Sequence, residues 1–128
     1  MDPIPSAVQD FLYANVDAVD QLEILRLVAA DPQKEHSCLS LAHALQVPLE
    51  TAEQHIRTLA GRGMLTITVS QPLACRYGAP SEDLEAQVQQ LVKTYVERPV
   101  SLIKMVYEKP KEQQLRSFAD AFRLKKEK

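Results

Sequence analysis

The stretch Leu41-Ala42-His43-Ala44-Leu45-Gln46-Val47-Pro48-Leu49-Glu50-Thr51-Ala52-Glu53-Gln54-His55-Ile56-Arg57-Thr58-Leu59-Ala60-Gly61-Arg62-Gly63-Met64-Leu65 decides how the chain reads. Leu41, Ala42 and Leu45, with Leu39 just before them, form the inward side of a short helix, and Ser37 stands where its N-cap belongs. Val47-Pro48 interrupts that helix, because proline lacks a backbone donor and pushes the preceding residue out of helical geometry. The same proline suits the entry of a new helix. That helix is expected from about Leu49 to Gly61, with Ala52, Ile56 and Leu59 on one side. Then the period changes. Met64 to Val69 alternates and is rich in β-branched residues, so it reads as a strand. Ser70-Gln71-Pro72 supplies a turn, and Leu73 to Tyr77 a returning strand that ends at Gly78 and Pro80.

Outward from this segment, helices dominate. Ala7, Phe11, Leu12 and Val16 recur at helical spacing after the prolines at 3 and 5. A second series, Val19, Leu22, Leu25, Leu27 and Val28, runs to Asp31-Pro32, where proline forbids continuation. The break between the two is expected at Asn15-Val16-Asp17, with Asp17 as the cap, and Pro32 to His36 as a polar loop. On the other side, Leu84, Val88, Leu91, Val92 and Tyr95 mark a helix capped by Ser81, with Glu82 and Asp83 where the helix dipole favours acids. A shorter helix from Val100 to Tyr107 carries Leu102, Ile103 and Val106 and stops before Pro110. Leu115, Phe118, Ala119 and Phe122 form a last amphipathic piece leading into Leu124 and a lysine-rich end. No internal repeat or low-complexity tract interrupts the series.

Two short helices joined by a tight turn and followed by a two-stranded ribbon make the winged helix-turn-helix plan. The expected fold class is mainly α with a small β-hairpin, a winged helix-turn-helix domain plus C-terminal helices. Residues 1–80 are assigned to that domain with its N-terminal helices, and 81–128 to a helical extension for dimerisation or docking. Residues 41–65 resemble bacterial winged-helix regulators of the MarR-like and related types, and the resemblance covers about residues 17–78. Its most specific part is Ile56 to Leu65, where two core aliphatics three apart precede a helix-ending glycine and the first wing strand. Gly63 suits the left-handed helix exit used in that family. Gln46 occupies the inter-helix turn where members commonly carry glycine, so a left-handed backbone there carries strain.

The resemblance implies double-stranded DNA as the partner, with the second helix in the major groove and the wing, residues 66–77, on the adjacent backbone. With Ala52, Ile56 and Leu59 inward, helical geometry turns Glu50, Thr51, Gln54, Arg57 and Thr58 outward. Gln54 can pair with an adenine edge and Arg57 with guanine or phosphate, while Arg62 and Arg76 are natural phosphate partners. Thr51, Gln54, Arg57, Thr58, Arg62 and Arg76 are therefore the candidate DNA-binding residues. Three arginines per chain in a dimer would neutralise about six phosphates, for a log–log salt slope of about −5. Glu50 and Glu53 oppose this reading from the front of the same helix, since phosphates repel carboxylates, although one carboxylate can accept from cytosine N4.

Composition narrows the remaining classes. The 128 residues, 45% of them hydrophobic, suffice for one core without disulfide or metal support. Cys38 and Cys75 lie far apart with no partner motif and read as reduced thiols of a cytosolic, cytoplasmic protein. The start Met-Asp-Pro-Ile-Pro lacks the order of a secretory signal, and no apolar run approaches a membrane span. His36, Cys38, His43, His55 and Cys75 show no paired-ligand spacing, so no metal and no cofactor is expected. Glycines at 61, 63 and 78 build no phosphate loop, and the serines lack a nucleophile motif; an enzyme is not expected. Charge is uneven. Residues 1–36 hold seven acids against Arg26 and Lys34, whereas residues 99–128 hold eight bases against four acids.

The reading that unites these features is a cytoplasmic, homodimeric transcriptional regulator that holds duplex DNA with residues 49–62 and the wing. The dimer follows from the excess of apolar helix after the wing and from the two-fold symmetry of operators. The alternative is a winged-helix adaptor that binds another protein through the same surface or through residues 111–128.

Overall fold

The computed structural model describes residues 4–70, 73–78 and 81–108. Its elements run α1 (Ser6–Asn15), α2 (Val19–Ala30), β1 (His36–Ser37), α3 (Cys38–Leu45), α4 (Leu49–Gly61), β2 (Leu65–Thr68), β3 (Ala74–Tyr77), α5 (Glu82–Glu97) and α6 (Pro99–Tyr107). This is the winged helix-turn-helix arrangement expected from residues 41–65, with α3 and α4 as the paired helices and β2–β3 as the wing. The amphipathic piece at 115–122 lies outside the described residues.

Each boundary has a local cause. The Ser37 hydroxyl accepts the Ser40 amide at 3.0 Å and opens α3, and the Ser81 hydroxyl accepts the Leu84 amide at 3.1 Å and opens α5. Gln46 closes α3 in the left-handed region, with φ 59 and ψ 46. Pro48 then sits in extended geometry at the N-cap of α4. Gly63, with φ 84, turns the chain from α4 into the wing, and its missing Cβ makes that conformation cheap.

Ala52, Ile56 and Leu59 on α4 are fully buried, and Ile56 and Leu59 belong to one core cluster with Leu22, Ile24, Leu25 and Val28 of α2, Met64, Leu91 and Leu102. Each large aliphatic taken out of water here contributes about 1.5–3 kcal/mol before entropy is counted. α5 packs on both α1 and α2, and α6 folds against α5 through Leu102. The helix-turn-helix and wing therefore share one core with the helices that flank them in sequence.

Several expectations need correction. Val8, not Ala7, faces the core from α1, because Ala7 is exposed and Val8, Phe11 and Leu12 are buried. Leu39 is not inward: it is 56% exposed on the outer side of α3, where Cys38 takes the buried position instead. Asp17 is not the cap of α2. That position belongs to Ala18, in extended geometry and with no side-chain cap bond. His36, placed in a loop by the sequence, begins the two-residue strand β1. It pairs antiparallel with β3 in the register His36↔Cys75 and Ser37↔Ala74, giving a sheet ordered β1-β3-β2.

Candidate nucleic-acid interface

The face of α4 opposite Ile56 and Leu59 presents Glu50, Gln54 and Arg57, all exposed and close together on successive turns. Thr51 and Thr58 lie at the edge of that face and are half-buried. The Thr58 hydroxyl donates to the Gln54 carbonyl at 3.0 Å, so its proton is already engaged within the helix. Arg76 stands exposed on β3, opposite Thr66 of β2 in the register Thr66↔Arg76. Among the described residues, Arg57 and Arg76 form no ion pair, whereas Arg26 pairs with Glu23 at 2.9 Å and Arg62 with Asp17 at 2.9 Å.

Arg62, a candidate phosphate partner, is engaged within the chain. Its guanidinium donates to the Asn15 carbonyl and to the Asp17 carboxylate, both at the α1–α2 junction, and the side chain is only 31% exposed. Five of the six candidate residues, Thr51, Gln54, Arg57, Thr58 and Arg76, lie on α4 or the wing without such a tie to another element. The two carboxylates also separate. Glu50 is exposed in the first turn of α4, where the helix dipole favours it. Glu53 is half-buried and turned toward α3, close enough that its charge helps raise the Cys38 thiol. One acid, not two, therefore stands on the exposed Gln54–Arg57 face.

Both cysteines are buried beneath this surface. Burial first, then the neighbouring Cys38 and Glu35, pushes the Cys75 thiol up to about 12. Burial also raises Cys38, helped by Glu53 and opposed by Arg57. At neutral pH these are packing groups, protonated and poorly nucleophilic. Sequence reasoning missed the polar contacts beneath α4. Gln21, 2% exposed, accepts the Asp17 amide at 2.9 Å and stands 3.2 Å from His55 Nδ1. His55 Nε2 lies 3.7 Å from the Asp20 carboxylate. The one available signal was a glutamine in a row of apolar residues on α2, at a position the helical period turns inward.

Two short helices joined by a tight turn, α3 and α4, followed by the β2–β3 ribbon, make the winged helix-turn-helix fold. No protein-family model matches the sequence, and no curated protein does either. Among solved structures, the transcriptional regulator Tm0710 from Thermotoga maritima shares the fold at 18% identity. The match covers 94% of this chain and 82% of that one, with a TM-score of 0.50. The adhesin competence repressor from Streptococcus pyogenes shares it at 13% identity, covering 95% and 90% with a TM-score of 0.50. At these identities the likeness is one of fold, and it is the fold that the resemblance to MarR-like regulators implied.

Proposed function

We propose that the chain is a DNA-binding transcriptional regulator of the winged-helix type that acts in the cytoplasm. The observation that carries this reading is the exposed Gln54–Arg57 pair on α4, with Arg57 and Arg76 unpaired among the described residues. A glutamine amide can bond an adenine edge in both directions, and an arginine fork matches guanine or a phosphate. Thr51 and Thr58 border the same surface, and Arg76 reaches backbone beside the groove from the wing. Of the two solved structures compared above, one is called a transcriptional regulator and the other a repressor, which supports this reading.

A homodimer completes the proposal. α6 carries Val100 at 76% and Tyr107 at 77% exposure, and Val96 on the adjoining α5 is 60% exposed. Three large apolar side chains in water on helices following the wing support a second copy as their cover, with two-fold symmetry matching that of operators. With Arg62 tied inside the fold, two arginines per chain meet about four phosphates per dimer, for a log–log salt slope of about −3.6. The slope of about −5 read from the sequence falls accordingly.

The adaptor alternative keeps one observation in its favour, the exposed Glu50 at the front of α4, which a protein partner tolerates better than a phosphate does. A mobility-shift titration over a range of salt separates the two. Sequence-selective binding that is lost in Arg57→Ala supports the regulator. No retardation of any duplex at low salt sinks it, and a protein partner captured through residues 111–128 then supports the adaptor.

A further inference from the structure

Two side chains tie the far flank of α4 to the α1–α2 junction. His55 and Arg62 are seven positions apart, two helical turns, which puts them on one side of α4 about 10 Å from each other. That side lies between the buried Leu59 row and the exposed Gln54–Arg57 face. Arg62 donates to the Asn15 carbonyl and to Asp17 Oδ2. The Asp17 amide in turn donates to Gln21 Oε1 at 2.9 Å. With that oxygen engaged, the Gln21 amide group must point its N–H toward His55 Nδ1, which accepts at 3.2 Å. The imidazole proton then sits on Nε2, facing Asp20. One continuous chain of polar contacts therefore runs from Arg62 through Asp17 and Gln21 to His55, leaving α4 at one end and returning to it at the other.

Resting on the DNA-binding reading above, we propose that Asp17 and Arg62 are positioning residues of α4, which fix its attitude toward DNA and touch no phosphate themselves. Three features support this. Arg62 has two partners on a different element, so reaching a phosphate means abandoning a backbone carbonyl as well as a carboxylate. Such a move would also take the guanidinium away from the Asp17 carboxylate, which a nearby polyanion repels. And the network grips α4 at two points a fixed distance apart, which restrains both its roll and its tilt, whereas the apolar row alone is non-directional.

The two roles predict opposite signs for one substitution. If Arg62 were a phosphate contact, Asp17→Ala would free it and remove a negative charge, and binding would hold or tighten. If Arg62 positions the helix, Asp17→Ala weakens binding as Arg62→Ala does. The experiment measures affinity for a duplex that the wild-type protein selects from a randomised library, and for a scrambled duplex of the same composition, across a range of salt. Positioning predicts that Asp17→Ala, Arg62→Ala and the double variant all lose about tenfold on the selected duplex, with the double no worse than either single. The scrambled duplex is little affected, and the salt slope is unchanged. Arg62→Gln, which keeps a donor for the Asn15 carbonyl, recovers part of the loss. The proposal is overturned, and DNA binding retained, if Asp17→Ala binds as well as wild type while Arg62→Ala lowers the salt slope by about one. An equal loss on both duplexes marks a smaller folded fraction and also counts against positioning. A wild-type protein that selects no duplex overturns the reading and the inference together.

Discussion

Tyr95 of α5 donates its phenolic hydrogen to the carboxylate of Glu23 on α2, joining residues 72 positions apart. The same carboxylate accepts from Arg26 one turn further along α2, at 2.9 Å. Its bond to Arg26 holds Glu23 below the usual carboxylate range, with burial opposing and Tyr95 assisting. Burial first, then the bond to Glu23, pushes Tyr95 from 10.0 up to about 12. Because α2 also meets α4 through Gln21 and His55, it stands as a strut between the helix proposed to read DNA and the helices after the wing.

That shift fixes an alkaline limb in the stability profile. A tyrosine whose folded value is raised contributes stability that is complete below its unfolded value and is lost as pH climbs through the folded one. The contribution of Tyr95 is thus full below about 10 and gone above about 12. Tyr95→Phe lowers stability at neutral pH by about 1 kcal/mol, the worth of one hydrogen bond. It also flattens the loss between those two values. Urea denaturation at a series of alkaline pH values checks both; an unaltered limb in Tyr95→Phe refutes the assignment.

Gln46 offers a cleaner test of backbone strain. Its φ of 59 is the left-handed region, where a side chain crowds the backbone and glycine does not. Gln46 is exposed, so no packing is lost on removing the side chain. Gln46→Gly should raise stability by about 0.5–1 kcal/mol, strain relief outweighing the extra freedom of glycine in the unfolded chain. Gln46→Val should lower it by more, since a β-branched residue resists that conformation most. Equal denaturation midpoints for all three would count against any strain.

What the sequence made legible was what nearest neighbours determine. α4 could be bounded from Pro48, Gly61 and Gly63 and its buried row read from Ala52, Ile56 and Leu59, because both signals are local and redundant. The wing followed from alternation in the same way. β1 was not legible, since two residues have no period and become a strand only by pairing with β3, nearly forty residues on. Asp17 has the composition of a helix cap, yet its carboxylate meets an arginine 45 positions away. Nothing in residues 15–20 specifies that contact. The same holds for Glu53, which turns to α3, and for Arg62: a helical wheel gives the direction of a side chain but not what waits there.

The cysteines should be inert in the folded state. Cys38 and Cys75 have no exposed surface, and burial holds the Cys75 thiol at about 12, so the reactive thiolate is scarce at neutral pH. Neither should react with a disulfide reagent until the chain unfolds, and the rate should follow the unfolding equilibrium as urea is added. Rapid modification of one thiol in native buffer would show that β3 or the start of α3 opens locally. Cys75→Ser buries a hydroxyl among apolar neighbours and should cost about 1–3 kcal/mol.

The proposed reading face makes the most divided set of expectations, because its residues should fail in different ways. Arg57→Ala should cost about 1–3 kcal/mol on a selected duplex if its fork meets a base, with relaxed preference at one position. Gln54→Ala should relax preference at a neighbouring position while leaving the salt slope alone, since a neutral amide releases no counterion. Arg76→Ala should weaken all duplexes alike and lower the slope by about one per contact removed. Glu50→Gln is the sharpest of the four. Its carboxylate is exposed and without an ion-pair partner among the described residues, so near phosphates it can only repel unless it accepts from a cytosine. Simple repulsion predicts that Glu50→Gln binds every duplex more tightly, by less than about tenfold given solvent screening. Cytosine readout predicts weaker binding to the selected duplex and unchanged binding to a scrambled one. Fluorescence anisotropy on the two duplexes distinguishes these, and no effect on either would place DNA away from the front of α4.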